Sequence, residues 1–179
     1  MPYAPAWNAT FAKPLLNQLI AVIQRDQAAV IALVNPLLAP INEFHKGPGA
    51  RTAFPWLTLA IDRTVFDADS SQLFTRRSRS RVSLALDVGQ FDQEMAQDNA
   101  QDYARVLDII VTTAPVADFT APLAIAHETV PGGTTTPNGA GTVKEVWVES
   151  HNYDLVTVQG IDVPALRVTL TLLFELEET

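Results

Sequence analysis

Between residues 14 and 40 the chain reads PLLNQLIAVIQRDQAAVIALVNPLLAP. Leu16, Leu19, Ile20, Ile23, Val30, Ile31 and Val34 fall on one broad stripe, which predicts a helix over 14–34 with Gln24, Asp26 and Gln27 between its apolar turns. Pro36 and Pro40 end it, because proline biases the preceding residue away from helix and brings no backbone donor. EFHKGPGAR then reads as loop. FPWLTLAIDRT, residues 54–64, is short, apolar and bounded by turn residues, the pattern of a strand buried on both faces or lying at a ligand or partner surface.

From residue 77 the pattern changes to period two. Ser78, Ser80, Val82, Leu84, Leu86 and Val88 alternate with Arg77, Arg79, Arg81, Ser83, Ala85 and Asp87. A strand with this alternation sends its apolar set to the core and projects a row of arginines from the other face. After Gly89, the residues Ala96, Ala100, Tyr103, Leu107 and Ile110 recur at steps of four and three and predict a helix over 92–112. Asp92 suits its cap and Glu94 its positive end, and the outer face carries Glu94, Asp98, Asp102 and Asp108 with Arg105. HETVPGGTTTPNGAGT, residues 127–142, has no period and reads as a long loop, expected to be poorly ordered. The chain then gives KEVWVES, YDLVTVQ, a GIDVP turn and ALRVTLTLLFELEE, three strand signals of which the last is the strongest in the protein. The order predicts an α+β fold: an extension over 1–13, then one domain over 14–179 whose mainly antiparallel sheet has two helices packed on one face.

Size and composition support one folded core. The chain has 179 residues, 47% of them hydrophobic and 18% charged, which suits a single domain and excludes a disordered chain. It has no cysteine, so disulfides, thiolate catalysis and thiolate metal sites are excluded together. Arg25 and Asp26 in the middle of the longest apolar stretch argue against a membrane span, and Asn17 and Gln18 interrupt any signal-peptide core.

Catalytic patterns are weak. GAGTVK lacks the GK[ST] ending of a phosphate loop, and no GxSxG elbow occurs. His127 with Glu128, and Glu149 with His151 and Asp154, carry metal-capable groups at spacings that match no helical HExxH, and His45 stands alone beside Lys46. The sequence therefore assigns no catalytic residue, no metal site and no cofactor, and favours a protein that is not an enzyme.

Charge layout is the remaining signal. The formal net charge is −8. Residues 1–90 hold nine basic and six acidic residues, a balance of +3, while residues 91–179 hold three basic and fourteen acidic, a balance of −11. TRRSRSRV places Arg76, Arg77, Arg79 and Arg81 within six positions of this acidic chain. Three readings are open: a solvated row on a strand edge, a phosphate contact, or a contact with another copy. Without interleaved aromatics, and with acid elsewhere, free DNA binding is disfavoured. If the arginine row and the acidic helix lie on opposite flanks, one copy's row can meet the next copy's acids, and such a head-to-tail contact generates a ring or filament. The candidate interface comprises Arg76, Arg77, Arg79 and Arg81 against Glu94, Asp98 and Asp102, with Glu175 and Glu177 as alternative acids.

The N-terminal helix, FPWLTLAI after a proline, SRVSLALDV, an acidic amphipathic helix and the closing RVTLTLLFELEE together resemble the tail terminator (tail completion) proteins of long-tailed bacteriophages. The resemblance spans about residues 14–179 and rests on layout and strand character. It implies a non-enzymatic virion protein, made in the host cytoplasm, that forms a ring, typically a hexamer. The ring would cap the tail tube protein and offer a surface to the head-tail connector, with the genomic DNA in its lumen as a further non-specific contact and no membrane partner. The proline-rich residues 1–13 and the loop of 127–142 depart from short members of that family. Other head-closure or tube proteins, and a small-molecule-binding protein or enzyme, are the alternative classes.

Overall fold

The computed structural model describes residues 12–47, 53–67, 76–89, 93–120, 141–157 and 164–178. Helix α1, Ala12–Val34, follows the predicted stripe. Leu16, Leu19, Ile23 and Ile31 are buried, joined by Leu15 and Val22, while Ile20, Val30 and Val34 flank the core. Gln27 departs from the expected polar side. It is buried, its amide donates to the Ile41 carbonyl at 3.1 Å, and its carbonyl accepts from the Ile41 N–H at 2.9 Å. A side chain with one donor and one acceptor can replace both missing ladder partners of a buried backbone unit, which an apolar residue cannot.

Five strands form one sheet in the order β1-β2-β3-β5-β4: β1 Glu43–His45, β2 Trp56–Phe66, β3 Arg76–Gly89, β4 Gly141–Thr157 and β5 Pro164–Glu178. Strand β1 runs parallel to β2, and every other pairing is antiparallel. Helix α2, Gln93–Thr113, lies against β3, β4 and β5 and carries α1 on its flank, while the short helix α3, Val116–Thr120, packs on β4 and α1. The described residues form a single α+β domain with three helices, which cover one sheet face. Residues of α2 at 96, 100, 103, 107 and 110 are all buried, as their spacing predicts.

The core-facing rows of the sheet follow from register. Leu57, Leu86 and Val168 stand side by side, then Leu59, Leu84 and Leu170, then Ile61, Val82 and Leu172. Alternation leaves the other side chains of β2, β3 and β5 on the outer face, over which no helix lies among the described residues.

Two expectations need correction. The segment expected as loop from Glu43 contains β1, whose three residues are too few to show a period. The two strands read in KEVWVES and YDLVTVQ are one 17-residue strand, β4. Its register shifts between Val143 and Glu145 and again between Val148 and Ser150. Each bulge inverts the phase of the alternation, so a continuous strand reads as two. The expected loop of 127–142 lies outside the described residues except for Gly141 and Thr142, which open β4; residues 1–11 of the expected extension also lie outside them.

Candidate functional site

The arginine row lies where period two places it. Arg77, Arg79 and Arg81 are exposed on the outer face, and Ser78, Ser80 and Val82 are buried on the helix side. The strand that carries them is not an edge: β3 lies between β2 and β5. Arg76 opens it opposite Glu178, Arg77 stands opposite Glu177, Arg79 opposite Glu175, and Arg81 opposite Leu173. The acids of β5 therefore meet the arginines within the same chain. Arg77 Nε approaches Glu177 at 3.4 Å, Lys144 of β4 reaches the same carboxylate at 3.1 Å, and Arg81 bonds Glu149 of β4 at 2.6 Å. The Lys144 ammonium, with Arg77 behind it, holds the Glu177 carboxyl below its ordinary range. Cross-strand pairs of this exposed kind contribute only a few tenths to about 1 kcal/mol each, and they favour one register of β3 against β5 over its neighbours.

Two cations of this face lie outside these ion pairs, although Glu175 stands opposite Arg79. Neither Arg63 nor Arg79 makes an ion pair among the described residues, and both are exposed. Arg63 stands directly opposite Arg81, a like-charge pair of which only Arg81 has its carboxylate. Val65, opposite Arg79 and two residues beyond Arg63, is 46% exposed between them.

At the other end of the outer face is a buried polar cluster that the sequence reading missed. Asp87 has no exposed surface. Its carboxylate accepts from Arg167 Nε at 2.6 Å, from the second nitrogen of that guanidinium at 2.8 Å, and from the Trp56 indole at 2.6 Å. Hydrogen bonding to Asp87 raises the Arg167 guanidinium further above its already high range. The Phe54 ring stacks on Trp56 with centroids 4.0 Å apart and lies against Gly89, where any Cβ would overlap it. The cluster locks three adjacent strands. Asp87 looks like one more polar outward residue of β3, and nothing local in the sequence links it to Arg167.

On the opposite side of the molecule, α2 presents its acids outward. Glu94 and Asp98 are exposed, and Asp108 is half-buried. Asp102 is half-buried too, accepting from the Asn35 amide at 2.7 Å, so it serves the end of α1 as well as the helix surface. The metal-capable groups of β4 diverge: Glu149 turns to Arg81 and Asp154 stands opposite Arg167, whereas His151 stands opposite Leu170 of the core row. His127 and Glu128 lie outside the described residues, and His45 approaches Glu43 at 3.3 Å. Among the described residues, no group of three or more such side chains is placed to hold a metal ion, and no helix is long and apolar enough to cross a membrane.

No protein-family model matches the chain, and no curated protein matches it. Among solved structures it is similar to a chain from the virion of a native gene transfer agent particle, with 14% identity over 98% of each chain and a TM-score of 0.46. A likeness that distant says nothing of what this chain does.

Proposed function

We propose that this protein is a non-enzymatic virion subunit that assembles head to tail into a ring, most simply the tail terminator of a long-tailed phage. In that role it would be made in the host cytoplasm, cap the tail tube and face the head connector. The observation that carries the reading is the separation of the two charged surfaces. The arginines project from the outer face of the sheet, while Glu94 and Asp98 project from α2, which covers the inner face. Complementary surfaces on opposite flanks of one rigid domain cannot satisfy each other within a copy. Between copies they give a heterologous contact, which closes into a ring when the rotation allows. A two-fold contact would instead set arginine against arginine.

A DNA-binding role for the row gains little from the geometry. Glu149, Glu175 and Glu177 interleave with the arginines, so a phosphate backbone along this face meets carboxylates among the cations. The test is the mass of the purified protein by sedimentation, alone and after incubation with tail tubes, together with negative-stain images. Rings, in solution or on tube ends, support the proposal. A protein that remains monomeric and binds no virion component refutes it.

A further inference from the structure

The segment that follows α1 is unusually well fixed for a surface connection. The Asn35 N–H continues the helix to the Ile31 carbonyl at 2.9 Å, and the Asn35 side chain accepts from the Leu37 N–H at 3.0 Å while donating to Asp102. The Leu38 N–H returns to the Asn35 carbonyl at 3.1 Å, the Tyr103 hydroxyl donates to the Ala39 carbonyl at 2.6 Å, and Gln27 takes both backbone groups of Ile41. Leu38 and Ile41 are buried anchors. Just before Leu38, Leu37 is 92% exposed, and Leu33, one turn back along the chain, is 75% exposed. A loop held at this many points and presenting bare leucines has already lost the freedom that binding would otherwise cost. Intramolecular packing does not account for them, since neither leucine contributes to the core.

The surroundings indicate what covers them. Asp102 reaches the base of the knob through Asn35, and Asp98 lies one helical turn away on the same face of α2. A matching surface is an exposed apolar side chain flanked by cations that make no ion pair among the described residues: Val65 between Arg63 and Arg79.

We propose that the Leu33 and Leu37 knob of one copy docks on Val65 of the next, with Asp98 and Asp102 beside Arg63 and Arg79. This deepens the head-to-tail reading above and rests on it. It also names the residues that the arginine row alone does not, because Arg77 and Arg81 already have partners within the chain.

Two variants test it. Leu37→Asp removes the apolar contact and adds a charge at a site that contributes nothing to folding, so its circular dichroism and melting are expected to match the wild type. Its association constant, measured by sedimentation on the same tubes or in solution, is expected to fall at least about thirtyfold, the scale of an interface hot spot. The absence of native cysteine permits a direct positional test. Leu37→Cys with Val65→Cys in one chain is expected, on oxidation within assembled protein, to give a ladder of covalent multimers, while either cysteine alone gives none. Assembly of Leu37→Asp within threefold of wild type, or a double-cysteine protein that assembles without cross-linking, overturns this contact and leaves the ring standing. Failure of the wild type itself to assemble removes both.

Discussion

Replacing Arg167 by Met keeps the aliphatic stem of the side chain and removes the guanidinium from Asp87. The fully buried carboxylate then retains only the Trp56 indole of its three donors. Leaving a buried charge without its partner typically costs about 3–5 kcal/mol. Because the Arg167 side chain is 32% exposed, water can reach part of the vacated site, and we expect about 2–4 kcal/mol. For a domain of this size that is a fall of roughly 5–15 °C in Tm. The double variant, Asp87→Leu with Arg167→Met, removes both charges and leaves the indole N–H unpaired, a loss of about 1–2 kcal/mol. It is therefore expected to be no less stable than Arg167→Met alone. With Asp87→Leu alone and the wild type included, urea unfolding followed by far-UV circular dichroism would give all four free energies and the coupling between the sites. A single variant that loses under about 1 kcal/mol, or a double variant whose loss equals the sum of the two singles, would show that the bidentate pair is not what locks this end of the sheet.

Gly89→Ala is expected to destabilise by about 1–3 kcal/mol, since its methyl would displace the Phe54 ring from Trp56; an unchanged urea midpoint would contradict the packing. Tyr103 gives a pH signature. Burial pushes its phenol up to about 12, whereas an unfolded tyrosine ionises near about 10, so its contribution is intact below that pH and is lost as pH rises through the folded value. The wild type should accordingly lose more stability than Tyr103→Phe across that alkaline window, and parallel losses in the two proteins would refute the assignment.

Where side-chain period is regular, the sequence is a reliable guide to this fold. Leu16, Leu19, Ile23 and Ile31, the even positions of β3 from Ser78 to Val88 and the α2 stripe from Ala96 to Ile110 all bury as their spacing implies. The misreadings have physical causes. Bulges on either side of Trp147 reverse the phase of β4, so its alternation breaks in two. β1 and α3, of three and five residues, are too short for a period to form. Gln27 is polar by type but is recruited by the Ile41 backbone 14 residues away. The same division holds for the candidate site. The outward row of arginines is legible from β3 alone, but its partners depend on which strand pairs with β3 and in what register. That pairing brings Glu177, 100 residues from Arg77, into contact, whereas Arg63 and Arg79 make no ion pair among the described residues. The Leu37 knob carries no periodic signal, because its rigidity comes from Asn35, Tyr103 and Gln27, side chains spread over three segments.

Head-to-tail assembly through opposite flanks is tested most directly by mixing two variants that carry complementary defects. One copy bears Arg63→Glu and Arg79→Glu and so has acid on both flanks. The other bears Asp98→Arg and Gln101→Arg, both at exposed positions on α2, and so has cations on both flanks. Each protein alone would bring like charges together at every contact, while the two in equal amounts would alternate and restore an opposite-charge pair at each one. By sedimentation and negative stain, neither variant should assemble alone under conditions where wild type forms rings, and the mixture should form rings with an even number of copies. Rings from either variant by itself, or a mixture that stays monomeric where wild type assembles, would contradict the account.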